Sequence, residues 1–568
     1  MTAVINRLWL RNSAGSCVIF PLVFVIVLLP QWALADASPE PTSGTSISAQ
    51  AISSAATLGT QTGGMIGRIS IFNESIFNLE DPEENKALYQ LANKVHTTTQ
   101  RNVIQQQLLF HEGDEFSARI LEESERILRS NRYIQDATIM AVRQENGVVD
   151  VSVHTTDVWT LMPKISLSRS GGENKVGIGI KEMNLLGTGL EVEALYKSDV
   201  DRDSKIIKIV DRHLGDSWYS LSTTYANNSD GHTVFVNLNK PFYSLDSNGA
   251  HGISLFDNKQ IDYLYDRGEV RSQYYHQANS YEVFRGWSNG LSDGWTKRYT
   301  AGVAYDEHHF SATENGDAPL SIVPDDRKFI YPFIGIELLQ DKFEKAANLN
   351  QINRTEDRYL GTRISARLGA VRSTFGSDRD AWLINAAAQT GFGSAQKNSL
   401  ILTTNLATRL ESEGAQNSLI DVSARYYKRQ SDRRLFYASL SGTFGYNLDV
   451  DNQVLLGGDN GLRGYPLRFQ SGDKRTLLTL EQRFFTDWYP FRLFHVGGAV
   501  FFDAGRAWGN SPVFDYDNSL LKDIGFGLRI GNSRSGLGRV THIDLAFPLD
   551  GDHSIKSVQL LIATRKSF

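Results

Sequence analysis

The chain has 568 residues, of which 41% are apolar, 21% charged and 11% aromatic, including 29 Phe, 22 Tyr and 9 Trp. This balance is too polar for a bundle of transmembrane helices and too aromatic for a disordered chain, so the polypeptide folds. Its 58 Lys and Arg against 64 Asp and Glu give a formal net charge of −6 with no large basic block, which argues against a nucleic-acid partner.

Arg7 and Arg11 precede an apolar run from Cys17 to Leu29, and Ala33-Leu34-Ala35 follows, which is the three-part layout of a secretory signal peptide over residues 1–35. The run is shorter than the roughly 18 residues a spanning helix needs. Cys17 is the only cysteine, so the chain beyond the signal has neither disulfides nor thiolate metal sites. Residues 36–64 are Ser, Thr, Ala, Gly, Gln and Pro with no aromatic and two charges, and are expected to form a flexible linker.

Residues 65–160 read as one small α/β domain. Ile66 to Phe72 alternates as a strand, and Asn85 to Tyr133 is helical in pattern, with Ile120, Leu121, Ile127 and Leu128 on one stripe. Two strands follow, Ala137–Arg143 and Val148–His154, joined by a turn ending at Gly147, which gives the order β-α-α-β-β. A sheet with a free edge can accept an extended peptide by strand addition.

Residues 161–568 carry many segments in period-2 alternation between Gly, Asn, Asp and Ser turns, the pattern of a transmembrane antiparallel β-barrel. Val176, Ile178 and Ile180 alternate with Gly177, Gly179 and Lys181, and Ile524, Phe526, Leu528 and Ile530 with Gly525, Gly527 and Arg529. The fold class expected is mainly β. About 407 residues, at roughly 25 per strand with its connection, predict about 16 strands. The terminal residue, Phe568, is the C-terminal barrel signal, although Thr564 and Lys566 interrupt the apolar alternation of the last strand and predict a weakly held seam.

A Gly-rich loop, Leu456 to Pro466, has a single cation at Arg463. Downstream, Val500 and Phe502 lie on an apolar face, so parity turns Phe501, Asp503 and Gly505 to the lumen; Thr479, Glu481 and Arg483 turn inward likewise. An arginine folded into a barrel needs a carboxylate to offset its desolvation, and Asp503 and Glu481 are the candidates.

The Leu462-Arg463-Gly464-Tyr465 segment resembles the [V/I/L]-R-G-[F/Y] motif, and Phe501-Phe502-Asp503-Ala504-Gly505 the F-x-D-x-G motif, of the bacterial surface-antigen superfamily of outer-membrane assembly and translocation barrels. Asn184 to Gly189 resembles an early barrel turn of that family, and the small domain its POTRA domain; with room for one such domain, the chain is similar to a short, single-POTRA member. The resemblance implies an inward-tucked extracellular loop in which Arg463 is the lock, Asp503 its main partner and Glu481 a second. It also implies an outer-membrane barrel with its POTRA domain in the periplasm, where unfolded outer-membrane or secreted polypeptides, outer-membrane lipid and accessory periplasmic proteins are the partners.

No enzyme signature is found. Asp199 to Ser204 imitates a calcium loop but has Ser204 where glycine is required. His308 and His309 have no matching ligand pair at a metal-binding spacing, and Gly531 to Gly536 misses the nucleophile elbow. No cofactor and no metal are expected. The function expected is an insertase or translocase that takes unfolded polypeptide by strand addition and passes it through a lateral seam or the lumen. A passive channel, or a dedicated passenger-export pore with the small domain as docking handle, is the alternative.

Overall fold

The computed structural model describes residues 63–144, 147–313, 318–513, 519–532, 534–536, 540–550 and 555–565. The expected signal peptide, residues 36–62 of the expected linker, and Phe568 lie outside the described residues.

A small α/β module comes first. Its elements are β1 (Ile66–Glu74), α1 (Ala87–Val95), α2 (Arg101–Gln105), α3 (Ala118–Ser130), β2 (Ile134–Arg143) and β3 (Val149–Asp157). The strands form one sheet in the order β1-β3-β2, with β1 parallel and β2 antiparallel to β3. Val149, Val151 and Val153 alternate onto the buried face, where they meet Leu121 and Leu128 of α3 and Ile104 of α2. The opposite side of α3 is buried too, because it faces the barrel. There Glu123 accepts the Leu245 amide at 2.8 Å, and Glu125 pairs with Lys345 beyond the module. The helical stretch is thus three helices, and residues that look solvent-facing in sequence dock the module.

The rest is a closed barrel. Its wall begins with β4 (Leu161–Ser170), β5 (Glu173–Leu185), β6 (Leu190–Ser198), β7 (Asp203–Asp211), β8 (Ser220–Asn228), β9 (Gly231–Lys240) and β10 (Gly249–Asp266). It continues with β11 (Glu269–Ser292), β12 (Trp295–Ala312) and β13 (Arg327–Gln340), after which β14 (Phe343–Ala347) and β15 (Thr355–Tyr359) make a hairpin outside the wall sequence. Then come β16 (Arg363–Val371), β17 (Ala381–Gly393), β18 (Asn398–Glu411), β19 (Gly414–Ser431) and β20 (Arg434–Tyr446). A short pair, β21 (Val454–Leu456) with β22 (Gln470–Gly472), stands apart before β23 (Lys474–Phe485), β24 (Phe494–Trp508), β25 (Leu521–Asn532), β26 (Val540–Pro548) and β27 (Gln559–Arg565) complete the wall.

The barrel has 20 strands, which corrects the expectation of about 16. The error lies in the connections. Six of them, such as residues 171–172, 267–268 and 293–294, are only two residues long, so the chain spends fewer residues per strand than assumed.

Alternation organises the wall as the sequence predicts. Ile178 and Ile180 on β5 and Val283 on β11 are exposed on the outside, while Lys181, Glu191 and Glu193 are buried on the lumen side, where Lys181 bridges both carboxylates. Among the described residues, no helix is long and apolar enough to cross a membrane, which says nothing about crossing by strands. Since β4 leaves from the module, connections alternate between the module end and the far end of the barrel.

Closure is uneven. Strand β27 pairs with β4 through one registered pair among the described residues, Ile562 with Arg169, whereas each other neighbouring pair in the wall has seven or more.

Candidate functional site in the barrel lumen

The far-end connection between β20 and β23 folds back into the barrel. Leu462 and Tyr465 are fully buried beside Leu456, Phe469 and Ala507, so the loop carries its own apolar anchor into the lumen. Between them Arg463 reaches the wall. Its Nε donates to Asp503 Oδ2 at 2.7 Å, its Nη2 to Asp503 Oδ1 at 3.1 Å and its Nη1 to Glu481 Oε2 at 3.0 Å. The guanidinium lies 3.3 Å from the ring centroid of Phe501, and Asp544 stands 3.7 Å away. A planar fork satisfies two acceptors on one carboxylate and one on another, which is what keeps a buried cation from being a net cost.

The glycine after it is required by close approach. A Cβ on Gly464 would stand 2.7 Å from Asp523 Cβ and 3.1 Å from the Pro548 nitrogen, while its own N–H donates to Asp523 Oδ2 at 3.0 Å. Tyr465 Oη lies 2.8 Å from the Lys522 carbonyl and also meets the Asp550 carboxylate. Leu462, Arg463, Gly464, Tyr465, Glu481, Phe501, Asp503 and Gly505 are therefore brought together, with Gly505 on β24 beneath Leu456.

Sequence reasoning missed further partners. Arg529 on β25 is buried, pairs with Asp544 on β26 and comes within 3.4 Å of Glu481. Parity alone turns both residues inward, but only strand register puts them beside the lock. Across the lumen, Arg468 donates to Asp201 through Nη1 at 2.8 Å and Nη2 at 2.6 Å, and Tyr265 donates to the same carboxylate at 2.8 Å. The carboxylate that imitates a calcium ligand thus holds the far side of the loop.

A second insertion enters from the module end and has no sequence signal in the alternation. The hairpin of β14 and β15, within residues 341–362, buries Leu349 and Ile352 against Tyr427, Leu435, Phe485 and Val540. Glu356 shapes its tip by accepting the amides of Leu349, Asn350 and Gln351 at 2.9, 3.0 and 3.2 Å. Arg483, inward on β23, donates to Glu481 at 2.9 Å and to the Leu349 carbonyl at 2.6 Å. The far side of the hairpin tip meets the module, where Thr355 donates to Asp136 at 3.2 Å and Arg354 to the Ile134 carbonyl at 3.2 Å.

One polar path therefore runs from Arg463 through Glu481 and Arg483 to the hairpin tip. The arrangement holds two chain segments in the lumen. Among the described residues, no group of three or more His, Cys, Asp or Glu side chains is placed to hold a metal ion.

No family model and no curated protein matches this chain. Solved structures similar to it include BamA from Haemophilus ducreyi lacking POTRA domains 1–3, at 12% identity over 88% of this chain and 84% of that one, with a TM-score of 0.37. CdiB from Escherichia coli is similar at 12% identity over 89% of this chain and 77% of that one, with a TM-score of 0.43. CdiB from Acinetobacter baumannii is similar at 13% identity, covering 88% and 73%, with a TM-score of 0.41.

Proposed function

We propose that this protein is an outer-membrane barrel that inserts or translocates polypeptides, with residues 65–160 acting as a periplasmic POTRA-like domain. The observation that carries the reading is the junction of β4 and β27. Among the described residues, a wall whose other joints have seven or more registered pairs is closed there by one, which makes that joint the one expected to part first. The open edges would template a client strand by backbone hydrogen bonding, after the module has received it by strand addition. No nucleotide is needed, since client folding and lipid burial supply the free energy.

The filled lumen supports a gated role over steady diffusion. Both inserted segments must withdraw before anything crosses, and Arg463 with Asp503 and Glu481 is the lock on one of them.

The test places purified protein in liposomes, adds urea-denatured outer-membrane barrel clients and follows their heat-resistant folded form by gel shift. Acceleration by the wild type and its loss in Arg463→Ala support an insertase. No acceleration by folded protein moves the reading to passenger export, and a high, steady conductance moves it to a passive channel.

A further inference from the structure

Helix α1 is apolar on two sides. Tyr89 is buried against Ile76 and Phe77, its ring 4.6 Å from that of Phe77. On the other side Leu88, Leu91 and Val95, at i, i+3 and i+7, are 63%, 57% and 57% exposed. Three large apolar residues in line on nine residues make a surface that water solvates poorly.

The contacts of the helix fix where that surface lies. At its start, Tyr89 Oη donates to the Phe491 carbonyl at 2.8 Å and Glu83 pairs with Arg492, both in the turn between β23 and β24. Just past its end, Gln100 donates through its backbone amide to the Gly187 carbonyl at 2.9 Å and through Nε2 to the Leu186 carbonyl at 3.0 Å, in the turn between β5 and β6. These turns flank the junction of β27 with β4. The segment from Tyr89 to Gln100 therefore runs along the module-end rim beneath that junction.

We infer that Leu88, Leu91 and Val95 are seated in phospholipid of the leaflet on the module side, directly below the weak junction. The inference rests on the reading of the barrel as membrane-spanning. Three observations select lipid over a protein partner. Leu186, in the turn that Gln100 touches, and Ile180 and Ile178 on the outer wall of the strand before it are exposed apolar residues as well. Trp488 and Phe491, in the turn that holds the helix, are also exposed, as aromatic residues at a membrane interface are. Lys86 and Lys94 are exposed at the two ends of the stripe, where their ammonium groups can reach phosphates while their stems lie along the apolar surface.

The experiment uses the full chain with Cys17→Ser and single cysteines introduced by Leu88→Cys, Leu91→Cys and Val95→Cys, each carrying an environment-sensitive fluorophore. Gln90→Cys samples the polar side, and Val283→Cys, on the exposed outer face of β11, reports insertion of the barrel itself. Protein is placed in phosphatidylethanolamine and phosphatidylglycerol vesicles with and without a lipid quencher located near the headgroup. All the substituted helix residues are exposed, so folding is retained and is verified by heat-modified gel mobility. The expected result is blue-shifted emission and quenching about twofold or more stronger at the three stripe positions than at Gln90→Cys. Water-like, unquenched emission at the stripe with quenching at Val283→Cys overturns the lipid-seated helix alone. Absence of quenching at Val283→Cys overturns the membrane-spanning reading on which it rests.

Discussion

Arg129 on the module and Asp357 on the lumen hairpin form a two-point ion pair, Nε to Oδ2 at 2.8 Å and Nη2 to Oδ1 at 2.7 Å. The same arginine donates to the Ala137 carbonyl at 2.7 Å, so the edge of the module sheet, helix α3 and the hairpin are fastened at one side chain.

Breaking this pair should therefore loosen the hairpin. Asp357→Ala leaves the buried Arg129 guanidinium with Glu125 as its remaining carboxylate, at a cost of about 1.5–3 kcal/mol. The expected outcome is larger and noisier single-channel conductance in planar bilayers for Asp357→Ala and Arg129→Ala, with the double variant no worse than either single one. Conductance equal to wild type in all three would show that the pair does not hold the hairpin.

Arg463→Ala removes the two-point partner of buried Asp503, while Glu481 and Asp544 keep Arg483 and Arg529, and the expected destabilisation of the loop is about 3 kcal/mol. Protease added at the far end should then nick the loop, which is protected in wild type. Arg463→Lys should restore little, since an ammonium cannot bond both oxygens of Asp503 in a fork while also reaching Glu481. Full protection in Arg463→Lys would show that charge alone suffices.

At the junction, Arg169→Cys with Ile562→Cys places two thiols on directly opposed residues, within reach of a disulfide. Oxidation should abolish client folding in the liposome assay and reduction should restore it. Undiminished activity of the oxidised protein would exclude parting of β4 from β27.

Acid should release the far side of the loop at a defined pH. Burial opposes ionisation of Asp201, but the hydrogen-bonded ion pair with Arg468 and the bond from Tyr265 outweigh it and lower its pKa to about 2 from 3.8. A carboxyl depressed in the folded state contributes its stability above its unfolded pKa and loses it as the pH falls through the folded one. The contact should therefore be whole at pH 4 and lost toward pH 2, as read by amide exchange at Gly268, whose N–H donates to the Arg468 carbonyl at 3.1 Å. Asp201→Asn should exchange at pH 4 as wild type does near pH 2.

The wall and its inward residues were legible because strand parity is local: Phe501, Asp503 and Glu481 need only the identity of their neighbours to be assigned a side. Strand number was not, because it depends on turn lengths such as the two residues between Asp266 and Glu269, which a uniform allowance per strand overstates. The roles of Arg529 and Asp544 depend on register between strands, and the hairpin of Leu349 and Ile352 on where a connection goes after leaving its strand. Neither quantity is written in a period. Glu123 and Glu125 were hidden for a third reason, since a helix between two partners buries the face that its pattern assigns to water.

Twenty strands, at a spacing of about 4.8 Å and a tilt of about 40°, enclose a cylinder about 40 Å across, far wider than wall side chains can span. The calibre of any passage is then decided by the two inward segments, whose withdrawal breaks side-chain bonds to the wall but none of its strand-to-strand backbone ladder. On the membrane-spanning reading, such a conduit changes width by moving its contents, and its frame yields only at the junction of β4 with β27.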